Sequence, residues 1–412
     1  MNHGFFYRAL TLSLTRLVAL SLSFVDMVML GHQSNYAVHN YTIASQVIQV
    51  FVILSVVLSV GINIVIGESQ KDIAERVGNI VQYSLSLACV LFALSLFAVL
   101  LVLDDAKISL SYLVLSLSIL PLCLYIGFAN ILETIGLSKQ VLYITLLSSL
   151  LNMLMNYWLI FSFVDDALAV SVSTLIVRGA LMCSAIIYLK HHGFRVAPIY
   201  AKQFNYRLFK LGRSEALTSI LFTGGISLLV LRVAQLHSID STAYLGFALN
   251  FMNTLGVVFV GIAVSISISL AQEKQAINKS LKLIAESIIY IAVLSFVLVY
   301  FSSWLAIGYT NASNVDLALY LKLAVFVIAF DGVAGVFISA LRVCGHSQIP
   351  PFFRLALIFL GIPMSFFIKI HGDPVANIVI FMAIGNFLSM MLCLLYFATV
   401  WVSRSSKEVI TG

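Results

Sequence analysis

Four polar side chains are spaced along this sequence in a way that could bind a proton or a small cation. Asp26 supplies a carboxylate, and Asn152 and Asn156 supply carboxamides four residues apart, on one face of a helix. Thr174 adds a hydroxyl in the next apolar segment. With water, these groups could hold a proton or offer oxygen ligands to Na⁺. In the alternative interpretation they only form hydrogen bonds between helices.

Asp331 is a second carboxylate inside a long apolar segment. It lies 331 − 316 = 15 residues after the start of the segment 316–342, hence about 22 Å along a helix that rises 1.5 Å per residue. That position is mid-membrane, and an aspartate is too short to reach the interface. The sequence predicts a cation or substrate site at Asp331, with a buried ion pair as the alternative.

Several basic residues also interrupt apolar segments. An ionised side chain at the centre of a bilayer costs at least about 2.5 kcal/mol, so each one requires a reason. Long basic side chains can extend to a nearby interface, and a structural ion pair is a further explanation. The candidates for substrate contact or for these structural roles are Arg16, Arg178, Arg232 and Lys322.

Composition indicates the elements that must position these residues. Of 412 residues, 61% are hydrophobic and 10% are charged, whereas soluble domains average about 25% charged residues. The mean hydropathy is +1.06, and apolar blocks long enough to span a hydrocarbon core of about 30 Å recur along the chain. The pattern predicts an all-α polytopic membrane protein and excludes soluble enzymes, nucleic-acid-binding modules and disordered chains. The apolar runs are continuous rather than alternating, which also excludes an outer-membrane barrel.

Turn residues and charge clusters divide the chain into twelve predicted spans with short connectors. The five cysteines are scattered singly, so we expect no disulfide and no metal cluster. The predicted spans are 9–30, 41–66, 79–103, 109–132, 140–162, 167–189, 213–236, 243–270, 283–308, 316–342, 351–370 and 376–402.

The distribution of Lys and Arg indicates how these spans are oriented in the membrane. Most of the 23 basic residues fall in connectors on one side, which the positive-inside rule assigns to the cytoplasm. We therefore expect a multi-pass protein of the inner (cytoplasmic) membrane with both termini in the cytoplasm. The predicted organisation is an N-lobe at 1–189, a cytoplasmic linker at 190–212, a C-lobe at 213–402 and a cytoplasmic tail at 403–412.

The two halves share a short motif. Leu132-x-x-x-Gly136-x-Ser138 recurs as Leu341-x-x-x-Gly345-x-Ser347, an offset of 341 − 132 = 209 residues. Six spans per half give two parallel repeats, as in transporters whose substrate path runs between halves. The sequence thus predicts two six-helix lobes.

Five segments in this order resemble the multidrug and toxic-compound extrusion (MATE) family. FVDMVMLGH resembles the first helix of that family, and FDGVAGVFISALRVCGHSQIP resembles its tenth helix with the following loop. The similarity covers nearly the whole chain. The segments are 24–32, 150–161 (LLNMLMNYWLIF), 172–179 (VSTLIVRG), 209–217 (FKLGRSEAL) and 330–350.

The resemblance implies a V-shaped antiporter of two lobes that alternates between outward-open and inward-open forms. It implies an N-lobe cation site at Asp26, Asn152, Asn156 and Thr174, with Na⁺ as one candidate ion at Asp26, and a C-lobe cation site at Asp331. The chain departs from the family pattern at Asn156, where relatives often have Asp. Glu215 lies about two turns before the position where the family carries a glutamate.

We therefore expect a secondary antiporter, not an enzyme, that exports cationic or amphipathic organic compounds in exchange for H⁺ or Na⁺. The alternative is a lipid-linked oligosaccharide flippase of the same superfamily, for which the intramembrane arginines would bind pyrophosphate. Expected partners are small organic substrates and membrane lipid, with no nucleic acid, no cofactor beyond the coupling ion, and a monomeric state. The triplet Asn40-Tyr41-Thr42 also matches a glycosylation signal.

Overall fold

The computed structural model describes residues 23–59, 62, 73–102, 105–135, 137–162, 165–273, 277–310, 315–343, 346 and 349–411. Within these ranges every regular element is helical. The predicted all-α polytopic fold is confirmed. Arg16 lies outside the described residues.

Ten described helices are long and apolar enough to cross a membrane. The other two predicted spans also contain helix: 23–31 is the described part of the first, and the shorter apolar helix Leu357–Phe367 lies in the eleventh. The described helices are thus consistent with twelve spans in two lobes.

Contacts divide the chain into two compact units, one of which is Val25–Ala243. In this unit α2 is packed on most sides, and it contacts the helices that follow it, including α7 and α8. The helices up to the end of this unit are α1 (23–31), α2 (Asn35–Ser59), α3 (Ile73–Ala98), α4 (Ala106–Leu117), α5 (Ile119–Thr134), α6 (Ser138–Ile160), α7 (Asp166–His191) and α8 (Lys202–Leu236).

The second unit combines Met1–Phe24 with Tyr244–Gly412. In this unit α11 packs against α10 and α14. Its helices are α9 (Ile239–Glu273, which begins in the first unit), α10 (Ile277–Thr310), α11 (Val315–Val343), α12 (Pro350–Phe353), α13 (Ile362–Phe367) and α14 (Pro374–Thr411), with a π-helical turn at Leu357–Gly361.

This division differs from the predicted lobes, because α8 lies in the first unit although 213–402 was assigned to the C-lobe. The physical reason is close packing between α8 and α2. The Ser227 hydroxyl donates to the Gln46 carbonyl at 2.6 Å. A Cβ on Gly212 would lie 2.8 Å from the Val57 carbonyl oxygen, so only glycine permits this approach.

Acidic residues before several helices are N-caps. Asp105 accepts the amides of Lys107 and Ile108 at the start of α4, and Asp165 accepts that of Leu168 at the start of α7. Asp373 caps α14 in the same way. Such caps satisfy amide groups that the first turn leaves unpaired and interact favourably with the helix dipole.

Two glycines bring α14 and the π-helical turn into backbone contact. A Cβ on Gly361 would lie 2.6 Å from the Phe381 carbonyl oxygen, and a Cβ on Gly385 would lie 2.7 Å from the Leu357 Cα. Both distances are too short for any side chain. Main-chain atoms therefore set the helix spacing here.

Candidate functional site

Asp26 is the centre of a buried hydrogen-bond cluster in the unit Val25–Ala243, and its side chain is only 2% exposed. Its Oδ1 accepts from Asn152 Nδ2 and Asn156 Nδ2, both at 2.7 Å. Its Oδ2 accepts from the Tyr41 hydroxyl at 2.9 Å and from the Thr174 hydroxyl at 3.4 Å. The structure thus brings together all four predicted N-lobe residues.

Packing of α1 against α2, α6 and α7 assembles this cluster. The four-residue spacing of Asn152 and Asn156 directs both amides to the same carboxylate oxygen. Ser173 on α7 donates to Asn152 Oδ1 at 3.1 Å and so fixes which end of that amide faces Asp26. Asn156 Oδ1 is buried and has no hydrogen-bond partner within the described ranges.

Arg178 places a positive charge beside the cluster. It lies one helical turn after Thr174, and its Nη1 donates to the Ser118 hydroxyl at 2.6 Å. It also interacts electrostatically with Asp26 and Tyr41. Ionised Asp26 and Arg178 therefore form a pair with a formal charge of zero.

Tyr41 and Ser173 were missed by the sequence analysis. Tyr41 was noted only within the glycosylation triplet, but Asn40 and Thr42 are each 1% exposed inside α2 and cannot be reached by a modifying enzyme. One signal was available, because a tyrosine hydroxyl within an apolar span usually has a hydrogen-bond partner. Ser173 directly precedes Thr174, yet serine is common in this chain and gave no distinct signal.

Asp331 has a different environment in the second unit. Arg354 binds its carboxylate with two parallel hydrogen bonds, Nε to Oδ1 at 2.9 Å and Nη2 to Oδ2 at 2.6 Å. The Asp331 side chain is 29% exposed and the Arg354 side chain is 37% exposed. The structure therefore shows an ion pair, the alternative for Asp331, although the pair is partly exposed rather than buried, and its partner Arg354 lies near the start of the predicted span 351–370.

The remaining predicted charges lie apart from these two clusters. Arg232 is exposed near the end of α8, as expected for a side chain that extends to an interface. The backbone of Glu215 belongs to α8, and its side chain lies outside the described part of the structure.

A third polar cluster lies within the second unit, to which the first two residues of α1 belong. Asn250 Nδ2 donates to the carbonyl and the hydroxyl of Ser23, both at 3.0 Å, and the Tyr309 hydroxyl donates to Asn250 Oδ1 at 3.0 Å. The ring of Phe24 packs edge-on against Tyr309. Thus α1 contributes Ser23 and Phe24 to one unit and, one turn later, Asp26 to the other.

Ten long apolar helices in the described ranges are typical of a multi-pass membrane protein. Residues 12–158 match the MatE family model. The predicted resemblance to the MATE family is therefore found over the first part of the chain. No curated protein sequence matches the chain significantly.

Solved structures of MATE and MOP superfamily transporters share the fold of this chain. An inward-facing multidrug resistance MATE transporter of the MOP superfamily superposes with a TM-score of 0.78 at 14% identity, over 96% of this chain and 99% of the other. The eukaryotic MATE transporter AtDTX14 gives 0.69 at 13% identity over 98% of both chains. A MOP superfamily transporter from Pyrococcus furiosus, with a binding pocket of reversed polarity, gives 0.68 at 16% identity over 96% of both chains.

Proposed function

We propose that this protein is a secondary antiporter that exports organic cations and amphipathic compounds in exchange for H⁺. The observation that carries the proposal is the buried carboxylate of Asp26, which accepts four hydrogen bonds from neutral side chains. Residues of three further helices surround it, so a change of its charge alters the hydrogen bonds of the whole cluster.

The orientation of the amides favours H⁺ over Na⁺ as the coupling ion. Both amide nitrogens, not the oxygens, face Asp26, whereas Na⁺ would need oxygen ligands. Asn152 Oδ1 is already engaged by Ser173. A bound proton needs only one acceptor, and a half-turn of the Asn156 amide would present its unpaired Oδ1 to the protonated carboxyl group.

Arg178 gives protonation an electrostatic consequence. While Asp26 is ionised, the pair is formally neutral and tolerates a cationic substrate nearby. Protonation changes the formal charge of the pair from zero to +1, which disfavours both a second cation and the present packing of the cluster. We propose that proton entry from outside thereby promotes release of the exported compound, and that proton loss to the cytoplasm resets the carrier.

The membrane potential supplies enough free energy for this exchange when the exported compound is neutral. One charge that crosses about 150 mV releases about 3.5 kcal/mol, which sustains roughly a 300-fold gradient of a neutral solute. One proton per cycle is therefore sufficient for a neutral compound, whereas exchange of one proton for a monovalent cation moves no net charge and is driven by the pH gradient.

The test is transport in proteoliposomes with an imposed pH gradient or an imposed Na⁺ gradient. We expect the pH gradient alone to drive uptake of a fluorescent organic cation. We expect Asp26→Asn to abolish that uptake, because asparagine cannot bind the proton. Uptake driven equally well by Na⁺, or wild-type rates in Asp26→Asn, would contradict the proposal.

We further propose a monomer in the inner membrane with both termini in the cytoplasm and with six-helix lobes at 1–189 and 213–402, joined by the linker 190–212 and followed by the tail 403–412. The distribution of basic residues supports this topology. Reporter fusions at the C-terminus and after residue 312 should show opposite sides of the membrane. Equal accessibility at both positions would disprove it.

The described arginines offer less support for the flippase alternative. Arg354 is engaged by Asp331, and Arg178 is beside Asp26. A pyrophosphate would have to displace these carboxylates. The flippase function would be favoured if the protein moved a lipid-linked oligosaccharide across the bilayer and organic-cation uptake did not respond to a pH gradient.

A further inference from the structure

A long apolar groove lies on the unit Val25–Ala243, between α2, α3 and α8. Its volume is about 560 Å³, within the range of about 300 to 1,000 Å³ typical of small-molecule sites. Leu54 and Leu58 form its α2 side, and Leu87 and Leu94 form much of its α3 side.

The length of the groove matches one leaflet of a membrane. It extends along α3 from Tyr83 to Leu94, which is 94 − 83 = 11 residues, or about 16 Å. Half of a hydrocarbon core of about 30 Å is about 15 Å. One acyl chain that lies parallel to α3 would therefore occupy the groove from end to end.

The polar groups that line the groove lie towards one end of it. On α8, Asn205 and Arg213 line the groove before the apolar residues Leu217 and Ile220. Arg213 is exposed, and no carboxylate lines the groove. The Asn205 Oδ1 is buried without a hydrogen-bond partner in the described part of the chain. This end therefore offers one positive charge and one unused acceptor.

More positive charge surrounds this end. Lys202, Arg207 and Lys210 are exposed on the first turns of α8. Basic pockets between transmembrane helices bind anionic lipid headgroups, and each basic residue near a membrane surface attracts them. The length of the groove and this positive charge indicate what binds there. The ligand should have one hydrocarbon chain in the groove and an anionic headgroup that can also donate a hydrogen bond.

We propose that the groove binds an anionic phospholipid such as phosphatidylglycerol, with one acyl chain along α3, the phosphate at Arg213 and a headgroup hydroxyl at Asn205. This site is distinct from the Asp26 cluster and does not depend on the proposed antiport. An ordinary lipid contact would show no preference between anionic and zwitterionic headgroups. The exported compound is the competing occupant.

The test is lipid retention from vesicles of equal parts phosphatidylglycerol and phosphatidylcholine, measured by native mass spectrometry after extraction of the full chain. We expect the wild-type protein to retain phosphatidylglycerol preferentially. Arg213→Gln should lower that preference about fivefold, the effect of one basic residue, and Arg213→Lys should keep it. Val90→Trp should fill the groove and abolish retention of both lipids.

Matched controls separate the site from general effects. Lys190→Gln removes an exposed basic residue on α7, and Val293→Trp adds the same bulk on an exposed face of α10; both should leave retention unchanged. Equal retention of the two lipids by the wild-type protein, or an unchanged preference in Arg213→Gln, would overturn the proposal. So would a Val90→Trp variant that loses organic-cation binding but still retains the lipid.

Discussion

Asp26 and Asp331 are both aspartates within apolar helices, but their environments are opposite. Asp26 is 2% exposed and accepts only from neutral side chains, with Arg178 nearby but bound to Ser118. Asp331 is 29% exposed and is held by the two-pronged contact of Arg354. The first carboxylate can exchange a proton without breaking a direct hydrogen bond to a charged side chain, whereas the second cannot.

The comparison shows that an intramembrane carboxylate is not by itself evidence of an ion site. Its direct partners decide the role. Neutral donors leave the charge of Asp26 available for exchange, and a guanidinium neutralises Asp331. We therefore expect coupling to depend on Asp26, and stability or substrate range to depend on Asp331.

The largest expected effect separates the two residues directly. Asp26→Asn should abolish the gradient that an imposed pH difference sustains, because no proton is exchanged. Asp331→Asn should keep gradient-driven transport and alter substrate range. Steady-state accumulation of a fluorescent cation in proteoliposomes measures both. The comparison fails if the two variants lose coupling equally.

The next effect concerns the helix spacing beside the ion pair. Gly361→Ala should destabilise the protein by about 1 to 3 kcal/mol, because its Cβ would overlap the Phe381 carbonyl oxygen. Gly335→Ala is the matched control, since its Cβ would meet Ala263 at an ordinary 3.5 Å. Apparent melting temperatures in one detergent compare the two variants. Equal values would show that the close approach can relax.

A smaller effect should distinguish the donors around Asp26. Tyr41→Phe removes a bond of 2.9 Å, and Thr174→Val removes one of 3.4 Å. A hydrogen bond to a charged group contributes about 1.5 to 3 kcal/mol at good geometry, so Tyr41→Phe should slow pH-driven uptake by about tenfold or more. Thr174→Val should have the weaker effect. A larger effect of Thr174→Val than of Tyr41→Phe would show that Tyr41 is not part of the proton site.

The Asp331–Arg354 pair should contribute about 1 kcal/mol, since both side chains are partly exposed. Asp331→Asn, Arg354→Gln and the double variant form a double-mutant cycle that isolates this value through thermal unfolding. Additive changes would show that the pair contributes nothing. Arg232→Gln, at an exposed position, should leave both stability and transport unchanged.

Sequence reasoning predicted the helical membrane fold because hydropathy alone determines it. It also predicted the Asp26 cluster, since a carboxylate and two amides at helical spacing have few other uses in an apolar span. It could not predict that Arg354 pairs with Asp331, because the positive-inside rule assigns arginines near span ends to the membrane surface. Nor could it predict that α8 packs on α2, which depends on one close approach at Gly212.

The backbone contact between Gly361 and Gly385 bears on how a ligand could compete for Asp331. Main-chain atoms are in contact here, so the π-helical turn and α14 cannot move closer together. Arg354 lies in the turn that directly precedes this contact. A compound that reaches Asp331 must displace one guanidinium, and the helices need not separate.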